Sequence, residues 1–225
     1  MIASIFLALV PIVALAVFVS RMESISGGQA GLVILAFGIG MGVTVPLVFA
    51  GALLVNVQDA VDPLTMLVVQ SFVFAGLLEE GGKLGVAYLA FGNRPDVSRD
   101  SYMRLILAIS LGFALMENLM HISGGASTML ARLFSAVPLH VAATGIGAIP
   151  YATSLGRSTS PSYPGFLLAV LIHGSYNALV GLAPRSGSMI PWILAVALML
   201  LAFGAYVFLW TRASAQDVEG QAKRP

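Results

Sequence analysis

Glu79, Glu80, Lys83 and Glu117 lie inside stretches of sequence otherwise composed to dissolve in lipid, and His140 and His173 lie in later stretches of the same kind. An ionised side chain at mid-membrane depth costs about 2.5–3.5 kcal/mol on insertion scales, so such groups persist where they face a polar cavity and are used. Residues four apart share a helix face, which lets Glu79 pair with Lys83. Glu80 then projects about 100° away and needs a partner of its own. A single structural ion pair does not account for two adjacent acids, because like charges repel strongly at low dielectric. Gly81 and Gly82 leave room beside the carboxylates.

Three further motifs carry polar groups in apolar surroundings. Phe113-xxx-Glu117-Asn118 is followed by His121, which reads as lying at the outer end of its span. Pro138-Leu-His140 is followed by Thr144 and by Gly145 and Gly147. His173-Gly-Ser-Tyr-Asn177 places a histidine and an amide on one helix face. Peptide hydrolysis needs an activated water, a proton relay to the leaving amine and donors for the developing oxyanion. A carboxylate beside a histidine supplies the first two, and Asn177 or Asn118 offers an amide for the third. The same residues suit a zinc ion as well, since two histidines and one glutamate form a known catalytic ligand set. In that case His140 and His173 would bind with Glu80 or Glu117. The compact HExxH pattern is absent, so a metal site would be assembled from separate helices.

The elements that must position these groups follow from composition. Of 225 residues, 58% are apolar and only 9% charged, with a mean hydropathy of +0.94. Soluble domains carry about 25% charged residues. The chain therefore reads as an all-α polytopic membrane helix bundle, and it contains no cysteine for a disulfide or thiolate metal site. A helix spans the hydrocarbon core in about 20 residues. Seven spans result, roughly 2–20, 29–55, 64–91, 102–122, 133–155, 163–183 and 189–211. Residues 1–20 lack a basic leader region and read as a retained anchor rather than a signal peptide. A single domain over 1–212 is expected, with its catalytic core at 64–183 and a polar cytoplasmic tail at 213–225 that has no reason to fold.

Basic residues set the orientation. With the N-terminus outside, the cytoplasmic side holds Arg21, Arg94, Arg99, Arg104, Arg157, Arg212, Lys223 and Arg224, against Arg132 and Arg185 outside. The C-terminus is then inside. Gly38 and Gly42 form a small-xxx-small pair of the kind that lets membrane helices approach closely. A net charge of +1 gives no sign of nucleic-acid binding.

The ordered set Glu79-Glu80-xx-Lys83, Phe113-xxx-Glu117-Asn118, His140 with its small-residue run, and His173-Gly-xx-Asn177 resembles the PrsW family of intramembrane proteases, relatives of the CAAX prenyl and bacteriocin-processing proteases. The resemblance covers about Phe74 to Leu179. It implies a membrane-embedded endopeptidase, of glutamic or metallo type, acting on a membrane-anchored protein such as an anti-sigma factor. Glu79, Glu80, His140, His173 and Asn177 would be catalytic, with Lys83, Glu117 and Asn118 orienting and balancing charge. Zinc or no cofactor is implied, with membrane lipids as surroundings and the prokaryotic cytoplasmic membrane as location. The CAAX branch carries an arginine one place later than Lys83 and a histidine where Glu117 stands, so processing of prenylated substrates is disfavoured. Two other functions fit intramembrane acids and histidines: a proton- or cation-coupled transporter, for which no internal repeat is evident, and a non-catalytic membrane scaffold.

Overall fold

With no water in a bilayer to satisfy its backbone, an apolar segment must close its hydrogen bonds within itself as helix. The computed structural model describes residues 1–20, 27–55, 60–94, 96–154 and 163–222, and no strand occurs among them. Seven helical stretches among these residues are long and apolar enough to cross a membrane, in agreement with the seven expected. Arg21, Arg157, Lys223 and Arg224, half of the basic residues assigned to the cytoplasmic side, lie outside the described residues.

In chain order the helices are α1 (Ile2–Ser20, interrupted at Leu9), α2 (Gly27–Val55), α3 (Pro63–Gly92), α4 (Arg99–Met120), α5 (Gly125–Phe134), α6 (Ala136–Ser154), α7 (Tyr163–Ser186) and α8 (Ile190–Ala222). Asp62 starts α3 by accepting hydrogen bonds from the amides of Leu64 at 3.1 Å and Thr65 at 2.9 Å, with Pro63 preset for the first turn. Ser98 caps α4 through the Ser101 amide at 3.2 Å. Within α3 the segment Val69–Glu79 is wound as a π-helix and returns to α-helix at Glu80. Such wide turns concentrate at functional sites, and this one ends on the paired glutamates.

The α4 span and the Ile122–Thr153 stretch are 67% enclosed, against 22–33% for the others, so α4 and α6 form the centre of the bundle. Glycines bring neighbours onto this centre. A Cβ on Gly40 would strike the Ile109 carbonyl, and one on Gly112 the Phe37 carbonyl, which fixes the α2–α4 approach. Gly38 and Gly42, the pair expected to do this, face open space. Gly40 lies two residues from each, about 200° around the helix, and the rotation of α2 turns that side inward. On the other flank a Cβ on Gly76 would meet the Val170 carbonyl at 2.8 Å, and one on Gly174 would strike the Phe72 ring, so α3 and α7 lie close together.

Two expectations need correction. The fifth span is preceded by a separate amphipathic helix, α5, broken from α6 at Ser135 (φ −131°, ψ −62°). The polar tail, expected to have no reason to fold, is helical in its first part: α8 continues as helix to Ala222. Extending an existing helix requires no new nucleus, and this explains why a short polar tail follows it.

Candidate active site

The acids come from α3 and α4 and the histidines from α6 and α7, so four helices must meet for the groups to touch. They do meet. Lys83 Nζ lies 2.5 Å from Glu80 Oε1, and neither side chain is exposed. Sequence spacing favoured the Glu79–Lys83 pair; Lys83 instead reaches one turn back to Glu80, three residues away and also on its face. His173 donates from Nδ1 to the same Glu80 Oε1 at 2.6 Å, and the Thr144 hydroxyl donates to Glu80 Oε2 at 2.8 Å. Both oxygens of Glu80 are therefore engaged. The Lys83 ammonium also sits 4.5 Å from the Phe113 ring centroid, where the π face stabilises it.

His140 extends the network outward. Its Nε2 donates to Glu117 Oε2 at 2.5 Å, and its Nδ1 receives Lys83 Nζ at 3.3 Å, with protons assigned from these partners. The His140 and His173 rings meet edge to face at 4.9 Å. Arg132 pairs with Glu117 Oε2 at 2.9 Å and donates from Nε to Asn118 Oδ1 at 2.9 Å. A chain of contacts thus runs from α5 through Glu117, His140, Lys83 and Glu80 to His173.

Glu79 stands apart from these pairings. Its Oε2 is buried, has no hydrogen-bond partner and lies 3.7 Å from His173 Nε2. His173 is thus flanked by both glutamates: Glu80 fixes Nδ1, and the Nε2 lone pair is left facing Glu79. Among the described residues Glu79, His140 and His173 form one group whose possible ligand atoms lie within 4.8 Å of one another. The sequence pattern put Glu80 or Glu117 in the third place, and in the structure those two acids hold the rings instead. Carboxylate-held imidazoles are the usual outer shell of a metal centre. At His140 an ion would have to replace Lys83 on Nδ1. With that exchange the donor set of two nitrogens and one oxygen fits a zinc-like ion.

A cavity of about 460 Å³ opens onto Glu117, His140 and His173, with Asn177, Arg132 and Tyr176 in its wall. Asn177 faces it without being fully buried. Asn118 is buried; its carbonyl holds Arg132, and its Nδ2 lacks a partner. His121 is exposed and bonded through Nδ1 to the Glu117 carbonyl at 2.9 Å. On sequence alone Arg132 reads only as an outer-loop charge and Thr144 only as a small polar residue after His140. The signal for Thr144 was its place one turn from His140; for Arg132 there was none.

These features define a helical membrane protein with a buried carboxylate–imidazole centre beside a cavity lined by both polar and apolar side chains. The family model for the PrsW family of intramembrane metalloproteases matches residues 28–208, and the chain belongs to that family. It is accordingly an intramembrane protease. No curated protein and no solved structure matches it.

Proposed function

We propose that this chain is a metal-dependent endopeptidase that cuts a single-span, membrane-anchored protein from the outer side of the prokaryotic cytoplasmic membrane, with its N-terminus outside. Glu79, His140 and His173 would hold the ion. When bound it would supply Lewis acidity, polarising a carbonyl and making water acidic enough to attack near neutral pH. The convergence of one free carboxylate oxygen with two carboxylate-held imidazoles carries this reading.

The chain's own residues have separable tasks. Glu80, held by Thr144 and Lys83, keeps His173 Nδ1 protonated and leaves Nε2 free to bind. Glu117 does the same for the far side of His140. Lys83 compensates the Glu80 charge, whose burial unpaired would be prohibitive. Asn177 lines the cavity with His173, and its amide would meet a substrate carbonyl oxygen. Arg132 and Asn118 brace Glu117. Ser127, Thr128 and Ser135 in the cavity wall would offer partners to the backbone groups of an unwound peptide.

A glutamic mechanism is the second reading, and one observation favours it: both nitrogens of His140 already have protein partners. Glu79 would then be the base, taking a proton from water at Oε2. Purified protein in lipid nanodiscs, assayed on a tagged single-span substrate before and after dialysis against a chelator, separates the two. The metal reading expects stoichiometric zinc, loss of cleavage on its removal and recovery on its return. Full activity in metal-free protein would leave the glutamic reading alone.

A further inference from the structure

Helix α5 forms one side of the cavity at the candidate site and buries little of itself there. It contributes Ser127, Thr128, Ala131 and Arg132 to the wall. Met129 is its only buried residue. It enters through Gly125 at φ +83°, a conformation that favours glycine, and leaves through the helix break at Ser135. The first turns of α1 pack against it. Two polar ties bind it to the bundle: Arg132 with Glu117 and Asn118 at one point, and Tyr176 donating to Ser135 Oγ at 2.7 Å at the other. An element with so little buried apolar contact belongs to the low end of local stability.

One oxygen joins this helix to the chemistry. Glu117 Oε2 accepts a hydrogen bond from His140 Nε2 and forms an ion pair with the Arg132 guanidinium at 2.9 Å. The guanidinium that holds α5 down therefore also fixes the carboxylate that orients a catalytic imidazole.

We propose that Arg132 is a positioning residue that latches α5 as a lid over the active site and, through Glu117, sets His140 in its working orientation. A substrate segment enters when this latch lets go, and the site is fully ordered again when it closes. The proposal builds on the protease reading for its kinetic consequence only; the lid itself is tested without turnover.

The chain has no cysteine, so a single introduced thiol reports cleanly. Leu139, 1% exposed on the wall of the cavity that α5 also lines, is changed to cysteine in the full-length protein, and Ser127, exposed on α5 itself, serves as reference. Labelling by a charged methanethiosulfonate reagent is followed in detergent. The proposal expects slow labelling of Leu139→Cys and acceleration of about tenfold in Arg132→Gln, equivalent to about 1.4 kcal/mol of lid stability. Arg132→Lys, which keeps the charge beside Glu117, should restore most of the protection. Tyr176→Phe frees the other end of α5 without touching Glu117 and should also speed labelling. In the cleavage assay Arg132→Gln should lower kcat with KM little changed, and Arg132→Lys should recover it. Labelling of Leu139→Cys as fast as the Ser127→Cys reference would overturn the lid. So would rates unaltered by both Arg132→Gln and Tyr176→Phe. Lysine no better than glutamine in both assays would overturn the positioning role. If the parent protein cleaves nothing, the protease reading fails while the labelling result still stands.

Discussion

Replacing Glu80 with glutamine would strand the Lys83 ammonium in the interior of the bundle. Lys83 and Glu80 are both wholly enclosed, 2.5 Å apart. Removing one partner of a buried pair costs about 3–5 kcal/mol, because the remaining charge keeps its desolvation penalty without its compensation. Glu79 sits one residue earlier and should respond differently. Its Oε2 has no hydrogen-bond partner to lose, and its side chain is 20% exposed. Glu79→Gln keeps shape and should alter stability by no more than about 1 kcal/mol, the scale of one ordinary hydrogen bond. The double variant Glu80→Gln/Lys83→Met removes both charges and should regain most of what Glu80→Gln loses, since deleting a buried pair together is often near neutral. Unfolding by sodium dodecyl sulfate titration in mixed micelles, followed by fluorescence of Trp192 and Trp210, measures all three. Equal destabilisation by Glu79→Gln and Glu80→Gln, or no recovery in the double variant, would refute the assignment of Lys83 to Glu80.

Gly174→Ala places a methyl group in the Phe72 ring beside His173 and should cost about 1–3 kcal/mol by overpacking, with part regained in Gly174→Ala/Phe72→Leu; the same titration reads it. Gly40→Ala should weaken the bundle through the Ile109 carbonyl whereas Gly38→Ala should be silent, and a reversed order would show that α2 is rotated otherwise. Hydrogen bonds from Thr65 hold the Asp62 carboxyl below its ordinary value of 3.8. A depressed folded-state value means the cap contributes fully above the unfolded value and fades as pH falls through the folded one. Protection of the Leu64 and Thr65 amides from hydrogen exchange should therefore hold from neutral pH down to 3.8 and decline only below it.

The seven spans were legible because each is a long apolar run bounded by turn formers, and the bilayer leaves such runs one backbone solution. The polar constellation was legible for a related reason: Glu80 or His140 in lipid is too costly to be incidental. Partner choice was not. Glu79 and Glu80 both have a helical route to Lys83, and the rotation of α3, set by the close contact of Gly76 with Val170 and Gly174 with Phe72, decides which one takes it. Rotation likewise chose Gly40 over Gly38. The amphipathic α5 escaped notice because ten residues with mixed polarity between two spans read as a loop, and Arg132 then counted only as a surface charge. Its tie to Glu117 bridges two helices through space, which spacing along the chain does not encode.

The most direct test of the account is cleavage by the purified protein in liposomes of a single-span substrate, comparing the parent with Glu79→Gln. The account predicts that Glu79→Gln, folded and as stable as the parent, cleaves nothing. Full cleavage by Glu79→Gln would contradict it, because the free carboxylate oxygen beside His173 would then have no part in the chemistry.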